Sequence, residues 1–115
     1  MSRGQAGSRI SVCMATYNGA AYLDEQVTSI LEQLAPEDEV VVVDDCSTDN
    51  TVSMLESRRD PRLSVHRNER NRGHVFSFAR AIAIARHPII LLSDQDDRWV
   101  AGRARLLVDA LENSN

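Results

Sequence analysis

The sequence predicts an α/β fold, a parallel sheet with helices on both faces. Two runs, Val40–Val43 and Ile89–Leu92, are wholly apolar and have the composition of strands buried on both sides. Each strand-like segment is followed by one of helical spacing, the alternation that builds a parallel sheet. Four such pairs fit within 115 residues, the size of a single domain.

The first strand is Ile10 to Ala15, with Asn18-Gly19 as the turn after it. From Ala20 to Leu34 the apolar residues Tyr22 or Leu23, Val27, Ile30, Leu31 and Leu34 recur at helical spacing, and Pro36 ends that helix. Glu39 to Val43 is the second strand. Ser47, Thr48 and Asp49 offer N-caps for a helix running to about Arg58. Arg62 to His66 alternates weakly and reads as a less central third strand. The polar stretch Arg67 to Asn71 leads through Gly73 into a helix from about Val75 to Arg86, stopped by Pro88. Ile89 to Leu92 is the fourth strand, and a last helix is expected from about Val100 to Leu111. Met1 to Ser8, small and polar, reads as a flexible tail, leaving residues 9–115 as one unit.

Composition removes several functions. Net charge is −4, against the basic excess usual for nucleic-acid binding. All 13 basic side chains are arginine, so lysine Schiff-base chemistry and the lysine phosphate clamp of the P-loop are excluded. No apolar run approaches the roughly 20 residues that span a bilayer. Cys13 and Cys46 match neither a disulfide framework nor a zinc pattern, and both read as small buried apolar groups in a reducing cytoplasm. Arg58, Arg59, Arg62 and Arg67 read as a solvated surface, with Arg72 the candidate for neutralising phosphate. His66 and His87 read as structural, while His74, beside Arg72, is open between structure and site.

In open parallel sheets, ligands bind beyond the carboxyl ends of the strands. Three such ends carry chemistry here. After the first strand, Thr16 supplies a hydroxyl, Tyr17 an aromatic face, and Gly19 backbone freedom; an ordinary strand-to-helix turn explains the same residues. After the second, Asp44 and Asp45 stand together at the end of a buried strand, one free to accept hydrogen bonds from a ligand while the other caps a helix. After the fourth, Asp94-Gln-Asp-Asp97 places three carboxylates in four residues. A hard cation, Mg²⁺ or Mn²⁺, relieves their repulsion and bridges carboxylates to substrate phosphates. A solvated acidic helix start is the plainer explanation.

Taken together, Ile10 to Gly19, Val41-Val-Val-Asp-Asp-Cys-Ser-Thr-Asp-Asn-Thr51, Asn71-Arg-Gly73 and Leu92-Ser-Asp-Gln-Asp-Asp-Arg-Trp99 resemble family 2 glycosyltransferases, inverting nucleotide-sugar-dependent enzymes of the Rossmann-like GT-A fold. The resemblance covers nearly all of the chain from Ile10 onward. The Asp94–Asp97 form and the helix opening Gly73 to Phe78 are similar to the rhamnosyltransferase-like branch. By this resemblance Thr16, Tyr17 and Asn18 begin the nucleotide site, with the ring of Tyr17 against the base. Asp45, with Asp44 as the alternative, accepts the imide N–H of uracil, thymine or guanine. Asn71, Arg72 and Gly73 form the loop near base and diphosphate. Asp96 is the direct metal ligand, and Asp94 lies nearer the ribose or sugar while sharing the metal site. Trp99 reads as packing.

The resemblance also bears on the catalytic base. Inversion needs a carboxylate that deprotonates the acceptor hydroxyl, and in this family it lies beyond the acidic motif, here beyond Asn115. Neither Asp109 nor Glu112 is assigned that part. The expected partners are a dTDP-, UDP- or GDP-linked sugar and, in the full enzyme, a glycan or lipid-linked acceptor at the inner face of the membrane. This chain is then a donor-binding fragment, with self-association through an exposed sheet edge expected. A non-catalytic nucleotide-sugar-binding or regulatory module is the alternative. A phosphoreceiver domain fits worse, wanting its acidic pair after the first strand and a lysine near the end.

Overall fold

The computed structural model describes residues 9–94, with the side chain of Asp94 excepted. The expected tail, the last helix, and Asp96, Asp97 and Trp99 lie outside the described residues. The elements are β1 (Ile10–Thr16), α1 (Leu23–Leu31), β2 (Glu39–Asp44), α2 (Thr51–Glu56), β3 (Leu63–Arg67), α3 (His74–Ile84) and β4 (Ile89–Asp94). All strand pairs are parallel, in the order β3-β2-β1-β4. The order reverses at β1, which places a topological switch between β1 and β4.

Side-chain alternation splits the sheet into two apolar faces. Ile10, Val12, Met14, Val40 and Val42 pack with Leu23, Val27, Ile30 and Leu55, which come from α1 and α2. Cys13, Val41 and Val43 pack against Ala81 and Ile84 of α3. Val40 to Val43 are completely buried, as their unbroken apolar run requires. Burying one such side chain stabilises by roughly 1.5–3 kcal/mol.

Several boundaries differ from expectation. The first helix begins at Leu23 because residues 20–22 form a turn, with Tyr22 and Leu23 both donating to the Gly19 carbonyl. It ends at Leu31, where Gln33 and Leu34 bond back three residues and tighten the last turn. Asn50, not Ser47, Thr48 or Asp49, occupies the cap position of α2, with no side-chain cap bond of its own. Those three residues are engaged elsewhere: Asp49 accepts from the Thr51 N–H at 3.0 Å, and Ser47 and Thr48 bond to the neighbouring loop.

The amino-terminal end of the sheet is closed by two buried acids. Asp38 accepts from the N–H of Ile10 (2.9 Å) and of Ala35 (2.8 Å). Glu39 accepts from the Ser11 hydroxyl (2.6 Å) and from the backbone and guanidinium of Arg86. Burial opposes its ionisation, but the bonds from Ser11 and Arg86 prevail and hold its carboxyl below the ordinary value.

The arginine-rich segment is only in part the solvated surface its composition suggests. Arg62 pairs with Asp60 and donates to the carbonyls of Leu31 (3.0 Å) and Leu34 (3.1 Å), closing the end of α1. Arg58 pairs with Asp24 and bonds Thr28 at 2.6 Å. Arg67 donates to the Ser47 carbonyl at 3.2 Å but is exposed, so it and Arg59 fit the expectation. The charges anchor helix to strand because the orphan carbonyls of a helix end need donors. The two cysteines also part company. Cys13 is fully buried, and burial followed by the charge of Glu39 pushes its thiol up to about 11. Cys46 is half-buried, in a left-handed conformation (φ 64°), because it turns the chain between Asp45 and Ser47.

Arg62→Ala should cost about 1–3 kcal/mol in urea unfolding, from charged hydrogen bonds that are partly screened, whereas Arg59→Ala should leave the midpoint unmoved. A disulfide reagent at pH 8 should label Cys46 in the native chain and spare Cys13 until the chain unfolds.

Candidate functional site

The parallel register brings the carboxyl ends of all four described strands to within a residue of level. Thr16 stands opposite Asp44, Asp44 opposite Arg67, and Ala15 opposite Asp94. Beyond them lies a cavity of about 300 Å³ lined by Ala15, Thr16, Tyr17, Asp45, Asn71 and His74. Thr16, Tyr17, Asp45 and Asn71, chosen from sequence, thus meet in one place. His74, left open, joins them.

The two acids of the pair have different surroundings. Asp44 is fully buried, and its carboxylate accepts from the hydroxyl of Thr16 (2.8 Å), the N–H of Ser47 (2.8 Å) and the hydroxyl of Ser47 (2.6 Å). It fastens the end of β1 to the loop after β2 and does not line the cavity. Asp45 lines the cavity although its residue is only 5% exposed. One of its oxygens accepts from the Arg72 N–H (2.7 Å) and the Asn68 amide (3.0 Å), and the other from the Gly73 N–H (2.9 Å). Burial disfavours its charge; the bonds from Arg72, Asn68 and Gly73 and the positive charge of Arg72 outweigh that and hold the carboxyl below the usual range.

Asn18 also proves to be a connector. At φ 50° its backbone turns into the left-handed region that Asn tolerates. Its N–H donates to the Ser47 hydroxyl and its side-chain oxygen accepts from the Thr48 N–H, each at 2.8 Å. Gly19 donates to the Thr51 hydroxyl at 3.0 Å. The loops after β1 and β2 are therefore one bonded unit, leaving the half-exposed ring of Tyr17 at the cavity.

Gly73 has φ 89°, a conformation that strains any L side chain even though the space around it is open. The turn lets two successive N–H groups reach Asp45 before α3 starts. Arg72 is divided: its N–H belongs to Asp45, while its guanidinium lies 4.1 Å from the ring centroid of Phe76, away from the cavity. Sequence reasoning missed Asn68, which is buried and joins Asp45 to the hydroxyl of Ser77 (2.9 Å). Nothing in a polar stretch distinguishes it beforehand; Ser77 on the inner side of α3 was the available signal.

The metal assignment falls on Asp94 and Asp96. The backbone of Asp94 pairs beside Ala15 at the cavity rim, whereas its side chain and all of Asp96 lie outside the described residues. Among the described residues no group of three His, Cys, Asp or Glu is placed to hold a metal. No described helix is long and apolar enough to cross a membrane.

A parallel sheet with helices on both faces and a cavity past the ends of β1 and β2 defines an α/β domain of the Rossmann-like type, in which ligands bind at the strand ends. The family model of glycosyl transferase family 2 matches residues 11–115, and the chain belongs to that family. It is 35% identical over 92 residues to the putative teichuronic acid biosynthesis glycosyltransferase TuaG of Bacillus subtilis, covering 78% of this chain and 36% of that protein. Two solved structures share its fold. TarS 1-349 of S. aureus in complex with UDP-GlcNAc superposes with a TM-score of 0.79 at 32% identity, over 90% of this chain and 31% of that one. The mannosyltransferase PcManGT from Pyrobaculum calidifontis, in complex with GDP-Man and Mn²⁺, gives 0.80 at 31% identity, over 94% and 32%. The chain spans about a third of the length of the curated relatives it matches. Its sheet is that of the N-terminal half of the GT-A fold.

Asp44→Ala should lower stability by about 2–4 kcal/mol in urea unfolding, because it strands buried donors of Thr16 and Ser47. For Asp45 the sign comes from its depressed value: its stabilisation is complete above the ordinary 3.8 and is lost as pH falls through the folded-state value. The thermal midpoint should therefore drop on acidification below about pH 4. Asp45→Asn should lower the neutral-pH midpoint and flatten that acid limb; an acid limb as steep as the parent's would contradict this.

Proposed function

We propose that this chain is the donor-binding part of an inverting, metal-dependent glycosyltransferase, with residues 9–115 as one unit. The carrying observation is the convergence of Thr16, Tyr17, Asp45, Asn71 and His74 on one cavity at the strand ends. An aromatic face and a fixed acceptor are what a planar base needs. In this reading Tyr17 lies against the base and Asp45 accepts its imide N–H, three of the carboxylate's lone pairs already being fixed by the loop. Asn18 and Asp44 act on the donor by holding the loops, and Asn71, Arg72 and Gly73 bound it on the far side.

Asp94 and Asp96 would hold Mg²⁺ or Mn²⁺, in keeping with the Mn²⁺ of the mannosyltransferase complex. When bound, the ion supplies charge that stabilises a departing diphosphate. The general base and the acceptor site belong to the remainder of the GT-A fold, so the fragment by itself transfers little sugar. UDP- and GDP-sugars occupy the two solved relatives, and a dTDP-linked donor is the narrower reading that the rhamnosyltransferase-like motif favours. The acceptor is a glycan or lipid-linked glycan on the cytoplasmic side of the membrane. Self-association would use β3, the sheet edge opposite β4 among the described strands.

Calorimetric titration of UDP, dTDP and GDP, with Mn²⁺ and then with EDTA, tests the proposal. Saturable, metal-dependent binding of one nucleotide is expected, with Asp45→Ala and Asp96→Ala each weakening it at least about tenfold, the scale of one charged hydrogen bond. Binding unchanged in both variants would overturn the assignment.

A further inference from the structure

We propose that the outer flank of the β3–α3 loop is a second ligand site, for a phosphate-bearing anion, separate from the cavity of Thr16 and Asp45. A cavity of about 470 Å³ opens there, lined by Arg67, Arg70, Arg72 and Arg80 with Phe76 and Glu69. It shares no lining residue with the 300 Å³ cavity. The loop is the wall between them: Asn71 and His74 face one side, and the guanidinium of Arg72 faces the other.

Pairing separates these arginines from others in the chain. Arg58, Arg62 and Arg86 each hold a carboxylate, those of Asp24, Asp60 and Glu39. None of the four around the large cavity is in a guanidinium–carboxylate salt bridge among the described residues, although the charge of Arg72 also acts on Asp45. Four cations against Glu69 leave a net charge of +3 on the lining.

Three of the four are also held in place. Arg80 donates to the Arg67 carbonyl (3.1 Å) and to the Asn68 side-chain oxygen (2.9 Å). Arg67 donates to the Ser47 carbonyl (3.2 Å), and Arg72 lies over Phe76. A guanidinium has five N–H donors, so each keeps several for a ligand. Restraint lowers the entropy lost on binding, and the planar fork matches phosphate oxygens in bidentate fashion. The volume, within the ordinary range for small-ligand pockets, admits a phosphomonoester or diphosphate with part of the group it is attached to. Phe76 gives that group an apolar wall.

The site does not depend on the donor reading, because its anion would bind whether or not a nucleotide occupies the other cavity. The test is calorimetric titration of inorganic pyrophosphate into the chain, alone and with UDP at saturation. Vesicle co-sedimentation with phosphatidylglycerol in phosphatidylcholine runs as a second arm. Expected is salt-sensitive binding that persists in the presence of UDP and weakens at least about tenfold in R67Q/R70Q, with nucleotide binding unaltered. Arg70→Glu, at an exposed side chain outside the hydrogen-bonded set, should weaken it without disturbing the fold; the thermal midpoint checks both variants. Vesicle binding lost in the same variants, without pyrophosphate binding, would assign the anion to a lipid headgroup; pyrophosphate binding alone would assign it to a soluble phosphate ester. Displacement of pyrophosphate by UDP, equal binding by the parent and both variants, or no binding in either arm would overturn the proposal.

Discussion

The site rests on two adjacent carboxylates at the end of a fully buried strand. Placing Asp44 and Asp45 there is costly unless each finds donors. Asp44 takes its donors from Thr16 and Ser47, which draws the loops after β1 and β2 together. Asp45 takes its own from Arg72, Gly73 and Asn68, which draws in the loop after β3. Every described wall of the small cavity is thus positioned by the same two side chains. The need to solvate them from within is what shapes the loops.

The opposite end of the sheet meets the same problem in another way. Asp38 and Glu39 terminate β1 and β2 at their amino ends, but their donors are Ile10, Ala35, Ser11 and Arg86. Between these polar ends β1 and β2 are apolar on both faces. A middle held by non-directional burial tolerates little specificity of its own. The directional bonds at the two ends therefore set where strands stop and loops start.

Much of the fold was legible because strand composition and helical period are local properties. Val40 to Val43 has the composition of a buried strand, and the weak alternation of Arg62 to His66 marks a less central one, outermost among the described strands. Boundaries were less legible. The start of α1 depends on the Gly19 carbonyl capturing two N–H groups, and its end on Arg62, some thirty positions away. In the site, residue types near strand ends pointed to Thr16, Tyr17, Asp45 and Asn71. The division of labour between Asp44 and Asp45 was not visible, because β2 ends between them and only the fold decides which one meets the cavity. Asn68 stayed hidden for the same reason, since its importance is a matter of what lies buried beside it. The arginine run misled because composition does not reveal which charges meet helix-end carbonyls.

Arg72 joins two surfaces by different parts of one residue. Its backbone N–H is committed to Asp45, while its side chain stands over Phe76 on the other flank. The inner wall is therefore written in main chain and the outer wall in side chain. A lineage can redecorate the outer flank through codon 72 while keeping the inner N–H bond to Asp45, losing at that carboxylate only the charge of the arginine, provided that it avoids proline, which has no N–H to give. The two flanks can evolve under separate selection although a single turn of chain divides them.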